Sequence, residues 1–331
     1  MTKPKVLQIL SMYHSEGERI LHEGAEVIRT DQYDIPHLCE LVKGVNGIVL
    51  KAPAKITREI IDANPDLKVI SGAGVGLDNI DVAYATKMGI PVLHAPSVNK
   101  VSTAEHAVTL LMALSKSLIS FHENMSQGNY SSRITIPSYE LKGKKVGLIG
   151  FGNIAQEVAK RLKIGLEMDV TAWVREFKQD KHQMANEIGV EINTNMEEVF
   201  SQSDFISLHI PLNEQTRHSI NRKYFSIMKP SAFLINTARG AVVNQDDLYE
   251  ALTTGKIAGA GLDVFDPEPP AKDLLLLSLP NVIVTPHVGG TTVECNYIMS
   301  TTVAENVIKA LQGKKPTYIG NPEVLKTKIC E

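Results

Sequence analysis

Residues Gly150-Phe151-Gly152-Asn153-Ile154-Ala155 constrain the fold more than any other stretch of the chain. They stand between a short apolar run at 145–149 and a segment with Ala155, Val158, Ala159 and Leu162 at helical spacing. Strand, tight turn and helix in that order open a βαβ unit of a parallel sheet. The form is G-x-G-x-x-A. Gly150 permits the tight turn, Gly152 lets backbone approach a pyrophosphate, and Ala155 is small enough for the helix to lie on the strand. The helix start, at Asn153 and Ile154, would turn N–H groups and a partial positive charge toward phosphates. An ordinary strand-to-helix turn would use the same residues, so the motif alone leaves a structural role open beside dinucleotide binding.

A dinucleotide site of this kind carries an acid about 20 residues further on, for the adenine ribose hydroxyls. Here the second strand, 169–173, runs into Val174 and then Arg175. A guanidinium at that point can pair a 2′-phosphate, which favours NADP(H) over NAD(H). The alternative is a solvated Arg175, with NAD(H) bound without its carboxylate.

The α/β rhythm extends in both directions. Residues 5–10, 47–50, 67–71 and 92–94 read as strands, with a helix over 57–63. Ser102-Thr103-Ala104-Glu105 has the form of a capping box, and Ala107, Leu110, Leu111, Leu114 and Leu118 continue it as one long amphipathic helix. Residues 126–139 are polar and read as a loop. Beyond it, 145–149, 169–173, 205–209, 232–236, 259–264 and 282–285 predict the six strands of a doubly wound sheet. A last helix is expected over about 292 to 312.

Composition excludes several classes. A chain of 331 residues suits two domains, and 43% apolar with 21% charged residues describes a globular protein. The formal net charge of −3 offers no basic footprint, so no nucleic-acid partner is expected. Cys39, Cys295 and Cys330 are odd in number and form no C-x-x-C pair, so neither a disulfide framework nor a metal site is expected. The start, MTKPKVLQIL, turns polar too soon for a signal peptide, and nothing approaches the ~18 apolar residues of a membrane span. A cytoplasmic protein without membrane attachment is the expectation.

Three further segments carry chemistry: Asn236-Thr237-Ala238-Arg239-Gly240, Gly261 to Pro270, and Thr285-Pro286-His287-Val288-Gly289-Gly290. Each lies at or past the end of a predicted strand, where open parallel sheets bind ligands. Taken singly, Arg239 reads as a surface cation, Glu268 as a solvated acid and His287 as a satisfied core ring.

Taken together they resemble the D-2-hydroxyacid dehydrogenase family. The matching text is LKGKKVGLIGFGNIA, SDFISLHIPL, KPSAFLINTARGAVVNQDDLYEALTTGKIAGAGLDVFDPEPP and VTPHVGGTT, with SGAGVGLDNIDVAYAT and VNKVSTAEHAVTLLMAL ahead of them. The resemblance covers nearly the whole chain. It implies an α/β fold of two doubly wound parallel-sheet domains. A Rossmann dinucleotide-binding domain, 101–289, would be inserted into a flavodoxin-like substrate-binding domain formed by 1–100 and 290–331.

Site roles follow from the same resemblance. Arg239 would grip the carboxylate and carbonyl oxygen of a 2-keto acid, His287 would act as general acid and base, and Glu268 would be its carboxylate partner. Val75 and Gly76 would hold the substrate carboxylate through backbone N–H groups, and Asn99 would line the substrate. Asp263 would orient the nicotinamide amide. His209, Pro211, Thr237, Ala238, Gly289 and Gly290 would line the cofactor beside Gly150, Gly152, Asn153, Ile154 and Arg175.

Where phosphoglycerate dehydrogenases show Arg-Ser-x-Thr, this chain has Lys51-Ala52-Pro53-Ala54. Lys51 could meet a substrate phosphate only as a point charge. A reductase of glyoxylate or hydroxypyruvate is therefore the expectation, with D-3-phosphoglycerate dehydrogenase the alternative. Formate or phosphite oxidation, known in the family, stays open. A nucleotide-sensing binding protein, like the related C-terminal-binding-protein corepressors, is the alternative of another class. It is disfavoured because no partner-binding extension is expected in a chain of this length. The family's members imply a homodimer.

Overall fold

The computed structural model describes residues 3–327, so Cys330 lies outside the described residues. The chain divides into two compact units, Met1–Asn99 with Thr291–Glu331, and Lys100–Gly290.

The first unit is built on β1 (Lys5–Ile9), β2 (Glu26–Thr30), β3 (Gly47–Leu50), β4 (Val69–Gly72) and β5 (Val92–Leu93). All pair in parallel, in the order β2-β1-β3-β4-β5, a flavodoxin-like doubly wound sheet. Helices cover both faces, so alternate residues of one strand enter different cores. Leu7, Ile48 and Ile70 pack with Leu38, Ile60 and Ala85. Val6, Val49 and Val69 pack with Leu21, Val303 and Val307 on the other face. The last three come from the helices Ser15–Gly24 and Val293–Leu311, the second capped by Thr292, whose hydroxyl accepts the Cys295 N–H at 3.2 Å. Asn321, fully buried, joins this unit's two chain segments. Its amide donates to the Ile90 carbonyl at 3.0 Å and to Thr86 Oγ1 at 2.9 Å, and its oxygen accepts the Val92 N–H at 2.7 Å.

The second unit has seven parallel strands: β6 (Lys145–Ile149), β7 (Asp169–Trp173), β8 (Glu191–Asn193), β9 (Phe205–Leu208), β10 (Phe233–Asn236), β11 (Gly259–Leu262) and β12 (Val282–Val284). Their order is β8-β7-β6-β9-β10-β11-β12. Every residue of β9, β10 and β11 is buried, because these strands have neighbours on both sides. The six-strand expectation falls short by β8, a three-residue edge strand with no fully buried residue.

The long helix also differs from its expectation. It spans Lys100–Ser115, so Ser102 lies inside it, buried, and does not cap it. Ser102, Thr103 and Ala104 are small enough for the first turn to pack closely, and that packing outweighs a capping preference. Ser117, at φ +47°, breaks the run, and Leu118 is exposed at the start of a separate helix, Leu118–Ser126. A further short helix, Ser132–Thr135, occupies the stretch that reads as loop. Among the described residues, no helix is long and apolar enough to cross a membrane.

Candidate active site

In the second unit β6 and β9 are neighbours without being consecutive, and the chain winds outward in opposite directions from them. The loops after such strands diverge and leave a crevice at the carboxyl edge. The glycine turn leaves β6 there. Gly150 has φ +103°, and a Cβ on it would lie 2.7 Å from the His209 carbonyl oxygen. Gly152 is different: its φ is −84°, and a Cβ there would meet nothing within 4 Å. The protein's own packing thus requires glycine at 150 and not at 152. The space over Gly152 fronts the helix Asn153–Lys160, whose N-cap residue is Gly152 itself, with no side chain to offer. Bare glycine backbone at a helix N-terminus is a cradle that a phosphate would fill. Ile154 and Ala155 pack their side chains into the core, so only their backbone serves the turn.

Neighbouring loops complete this edge. His209 follows β9, with its Nε2 2.9 Å from Ser207 Oγ. Burial pushes its pKa down to about 4, so the ring is neutral at physiological pH. Exposed Pro211 accepts the Thr216 hydroxyl at 2.7 Å. After β10, Thr237 is buried and its hydroxyl oxygen has no hydrogen-bond partner among the described residues. An unpaired buried hydroxyl costs about 1–3 kcal/mol, which a bound polar ligand would recover. Bare backbone at Gly152 and the orphaned Thr237 hydroxyl both fit a nicotinamide dinucleotide. At the far end Val174 is buried, while exposed Arg175 donates to Gln215 Oε1 at 2.8 Å.

Arg239, Glu268 and His287 come together in this unit, from the loops after β10, β11 and β12. Ala238 N–H donates to Asn236 Oδ1 at 3.0 Å, Asn236 Nδ2 donates to the Arg239 carbonyl at 3.0 Å, and Arg239 Nη1 donates to the Ala238 carbonyl at 2.7 Å. Gly240 then lies so close to the next loop that a Cβ would be 2.0 Å from the Phe265 carbonyl carbon. Phe265 N–H in turn donates to Glu268 Oε1 at 3.0 Å, and Glu268 Oε2 accepts from His287 Nδ1 at 2.8 Å. One continuous set of contacts therefore runs from the arginine loop to the imidazole.

The electrostatics follow from that arrangement. The hydrogen bond to Glu268 holds the His287 pKa above its ordinary value; burial and the Arg239 charge oppose this, and the charges of Glu268 and Asp263 support it. Burial pushes Glu268 upward, but the His287 hydrogen bond and charge, the Phe265 N–H and the Arg239 charge outweigh it and leave the carboxyl below its ordinary range. Glu268 is thus ionised and His287 carries a proton to higher pH than a free imidazole. Both side chains reach solvent, at 34% and 47% exposure, so a small molecule can approach the ring.

Asp263 is only 1% exposed and organises the turn that carries His287. Its backbone carbonyl accepts the His287 N–H at 2.8 Å. Its carboxylate accepts the Thr285 hydroxyl at 2.6 Å, the Val288 N–H at 2.8 Å and the Gly289 N–H at 2.9 Å. Burial would raise its pKa, but these donors and His106 together lower it, so it is ionised. Gly289 is buried and Gly290 half-buried on the same turn.

Lys51, Val75, Gly76 and Asn99 belong to the first unit, past the ends of β3, β4 and β5. The Val75 carbonyl accepts from His94 Nδ1 at 3.0 Å, which fixes the loop beside Gly76. Lys51 Nζ stands 4.8 Å from the Tyr13 ring centroid. Asn99 Oδ1 is buried without a hydrogen-bond partner among the described residues.

Sequence reasoning passed over His106. Its Nε2 lies 2.9 Å from Thr285 Oγ1 and 3.4 Å from Asp263 Oδ1. The available signal was a histidine on the apolar stripe of a helix, flanked by Thr103, Ala107 and Leu110, where a polar ring needs a partner.

Residues 108–289 match the family described as D-isomer specific 2-hydroxyacid dehydrogenase, NAD binding domain. The chain belongs to this family of nicotinamide-dependent oxidoreductases. Among its relatives, the glyoxylate reductase of Pyrococcus furiosus is 38% identical over 98% of this chain and 97% of its own length. The D-3-phosphoglycerate dehydrogenase of Methanocaldococcus jannaschii is 38% identical over 96% of this chain, which spans 59% of that protein's length. Among solved structures, the NADPH-dependent glyoxylate/hydroxypyruvate reductase of Sinorhizobium meliloti, in complex with NADP and malonate, matches with a TM-score of 0.86 at 28% identity. That match covers 96% of this chain and 97% of the other.

Proposed function

We propose that this protein reduces glyoxylate or hydroxypyruvate to the corresponding 2-hydroxy acid, with NADPH preferred over NADH. The observation that carries this reading is the ionised Glu268 hydrogen-bonded to His287, whose pKa it raises, with the Arg239 charge beside both. Gly150, Gly152, the Asn153–Ile154 backbone, His209, Pro211, Thr237, Ala238, Gly289 and Gly290 would hold the cofactor. When bound, the nicotinamide supplies the hydride.

The chain's own residues do the rest. Arg239 fixes the keto acid and polarises its carbonyl, because a planar guanidinium matches carboxylate and carbonyl oxygens together. His287 donates its Nε2 proton to the carbonyl oxygen while Nδ1 stays on Glu268. In the oxidative direction the neutral ring takes the proton back. In the first unit, Val75, Gly76, Asn99 and Lys51 are the residues proposed to bind substrate.

Arg175 supports NADPH: it is exposed, it donates through Nη1 to Gln215, and the buried Val174 stands where an acid would bind the ribose hydroxyls. Lys51 favours one second reading, D-3-phosphoglycerate dehydrogenase, as its ammonium could meet a phosphate. We also take the enzyme to be a homodimer, because Met112, Leu118, Ile119 and Met125 expose apolar surface on neighbouring helices. A cytoplasmic setting suits the free thiols of Cys39 and Cys295.

Initial rates with NADPH and NADH against glyoxylate, hydroxypyruvate and 3-phosphohydroxypyruvate test the reading. Faster NADPH oxidation with the two unphosphorylated acids supports it. A dominant rate with the phosphorylated acid transfers the assignment to the second reading, and binding of cofactor without any turnover refutes both. Light scattering decides the dimer.

A further inference from the structure

His287 sits at φ +54°, a left-handed conformation that costs a non-glycine residue about 1–3 kcal/mol unless the surroundings impose it. What imposes it is visible on both sides of the residue. Before it, Thr285 is held by His106 Nε2 at 2.9 Å and by Asp263 at 2.6 Å. After it, the Gly289 N–H is held by Asp263, and the Gly289 backbone faces the His106 ring, whose Cδ2 would be 3.5 Å from a Cβ placed there. His106 thus bonds the turn at Thr285 and lies against the space beside Gly289 at the other end.

The donor pattern fixes the chemistry of these contacts. The Thr285 hydroxyl spends its proton on Asp263, so it can only accept from His106, and Nε2 must carry a hydrogen. The same N–H faces Asp263 Oδ1 at 3.4 Å. The helix Lys100–Ser115, which bears His106, is pinned independently by Ala104, Ala107, Leu110 and Leu111 in the core of the unit. The ring is 18% exposed and therefore projects from a rigid element into a loop.

We infer that His106 is a positioning residue for the reaction, holding the Thr285–Gly289 turn so that the His287 ring meets Glu268. The inference rests on the acid–base role given to His287 above. His106 touches no reacting atom in this account and acts only through Thr285, Asp263 and Gly289.

The test compares His106→Leu with His106→Gln, whose amide can supply the missing N–H. Two readouts are needed: the NMR titration midpoint of the His287 ring, assigned with a His287→Gln variant, and kcat and KM against pH. Charged groups facing His287 are Glu268, Asp263 and Arg239, with His106 behind the turn, so the wild-type titration is recorded beside both variants. His106→Leu is expected to lower the His287 midpoint and to reduce kcat for keto-acid reduction at pH 7.5 by about tenfold, the scale of one weakened charged hydrogen bond. KM should change little, and His106→Gln should restore most of both effects. If His106→Leu fails to fold, His106→Asn, too short to reach Thr285, replaces it. A variant that melts earlier yet keeps the His287 midpoint and kcat overturns the inference and leaves His106 a packing residue. If wild type reduces none of the keto acids, the proposed function fails while the NMR titration still decides the positioning.

Discussion

Glu268→Gln is the most informative single change. It keeps the size and the acceptor for the Phe265 N–H but removes the negative charge 2.8 Å from His287 Nδ1. A hydrogen bond to a charged group contributes about 1.5–3 kcal/mol. Because both side chains are partly in solvent, screening places this pair just below that range, at about 1.4 kcal/mol, or tenfold in the ratio of imidazolium to imidazole. The sign is set by the native shift: Glu268 raises the His287 pKa, so its removal lets the ring lose its proton at lower pH. Keto-acid reduction needs the proton, and its alkaline limb should move to lower pH, with about a tenfold loss of kcat above that limb. Hydroxy-acid oxidation needs the bare ring, and its acid limb should move the same way, making the variant relatively better in acid. Stopped-flow or steady-state rates in both directions from pH 5 to 10, with cofactor affinity measured by fluorescence, give the comparison. Unmoved limbs in both directions would refute the coupling of Glu268 to His287.

Three further expectations come from the same geometry. Arg239→Lys should lower kcat/KM by about a hundredfold or more with the fold intact, since a point charge cannot replace a planar fork; steady-state kinetics and circular dichroism check it. Gly152→Ala should leave urea stability within about 0.5 kcal/mol, because its Cβ meets nothing, yet weaken cofactor binding at least about tenfold, whereas Gly150→Ala should damage both. Gly240→Ala forces the Arg239 loop away from Phe265 and should cost about 1–3 kcal/mol in urea unfolding together with most of the turnover.

The strand 145–149 was legible with its observed bounds because it is buried on both faces past Lys145 and reads as an apolar run; 169–173 also appears with its observed bounds, although only Val170 and Ala172 of it are buried. Of the four edge strands, β5 and β12 fall within the runs 92–94 and 282–285, but the other two were not legible. β2, Glu26–Thr30, has one partner and a single buried residue, and β8 is three residues long, so neither leaves an apolar signature. The capping box failed because small residues on the packed face of the helix have the same letters as a cap. Gly150 was readable, since a positive φ selects glycine locally. His106 was not, because its partner Thr285 is 179 positions away and nothing near either residue announces the pair.

The first unit is assembled from two stretches of chain, and that has a temporal consequence. During synthesis β1 to β5 emerge first, but Val303, Val307 and Asn321, which finish one face and tie down the backbone of β5, come only after the whole second unit. At roughly 5–20 residues per second, the intervening residues 100–290 occupy the ribosome for about 10–40 s. The second unit is contiguous and can close as it emerges. The first must wait with Val6, Val49 and Val69 covered only by the Ser15–Gly24 helix, so that part of this apolar face stays in water until the helix Val293–Leu311 emerges.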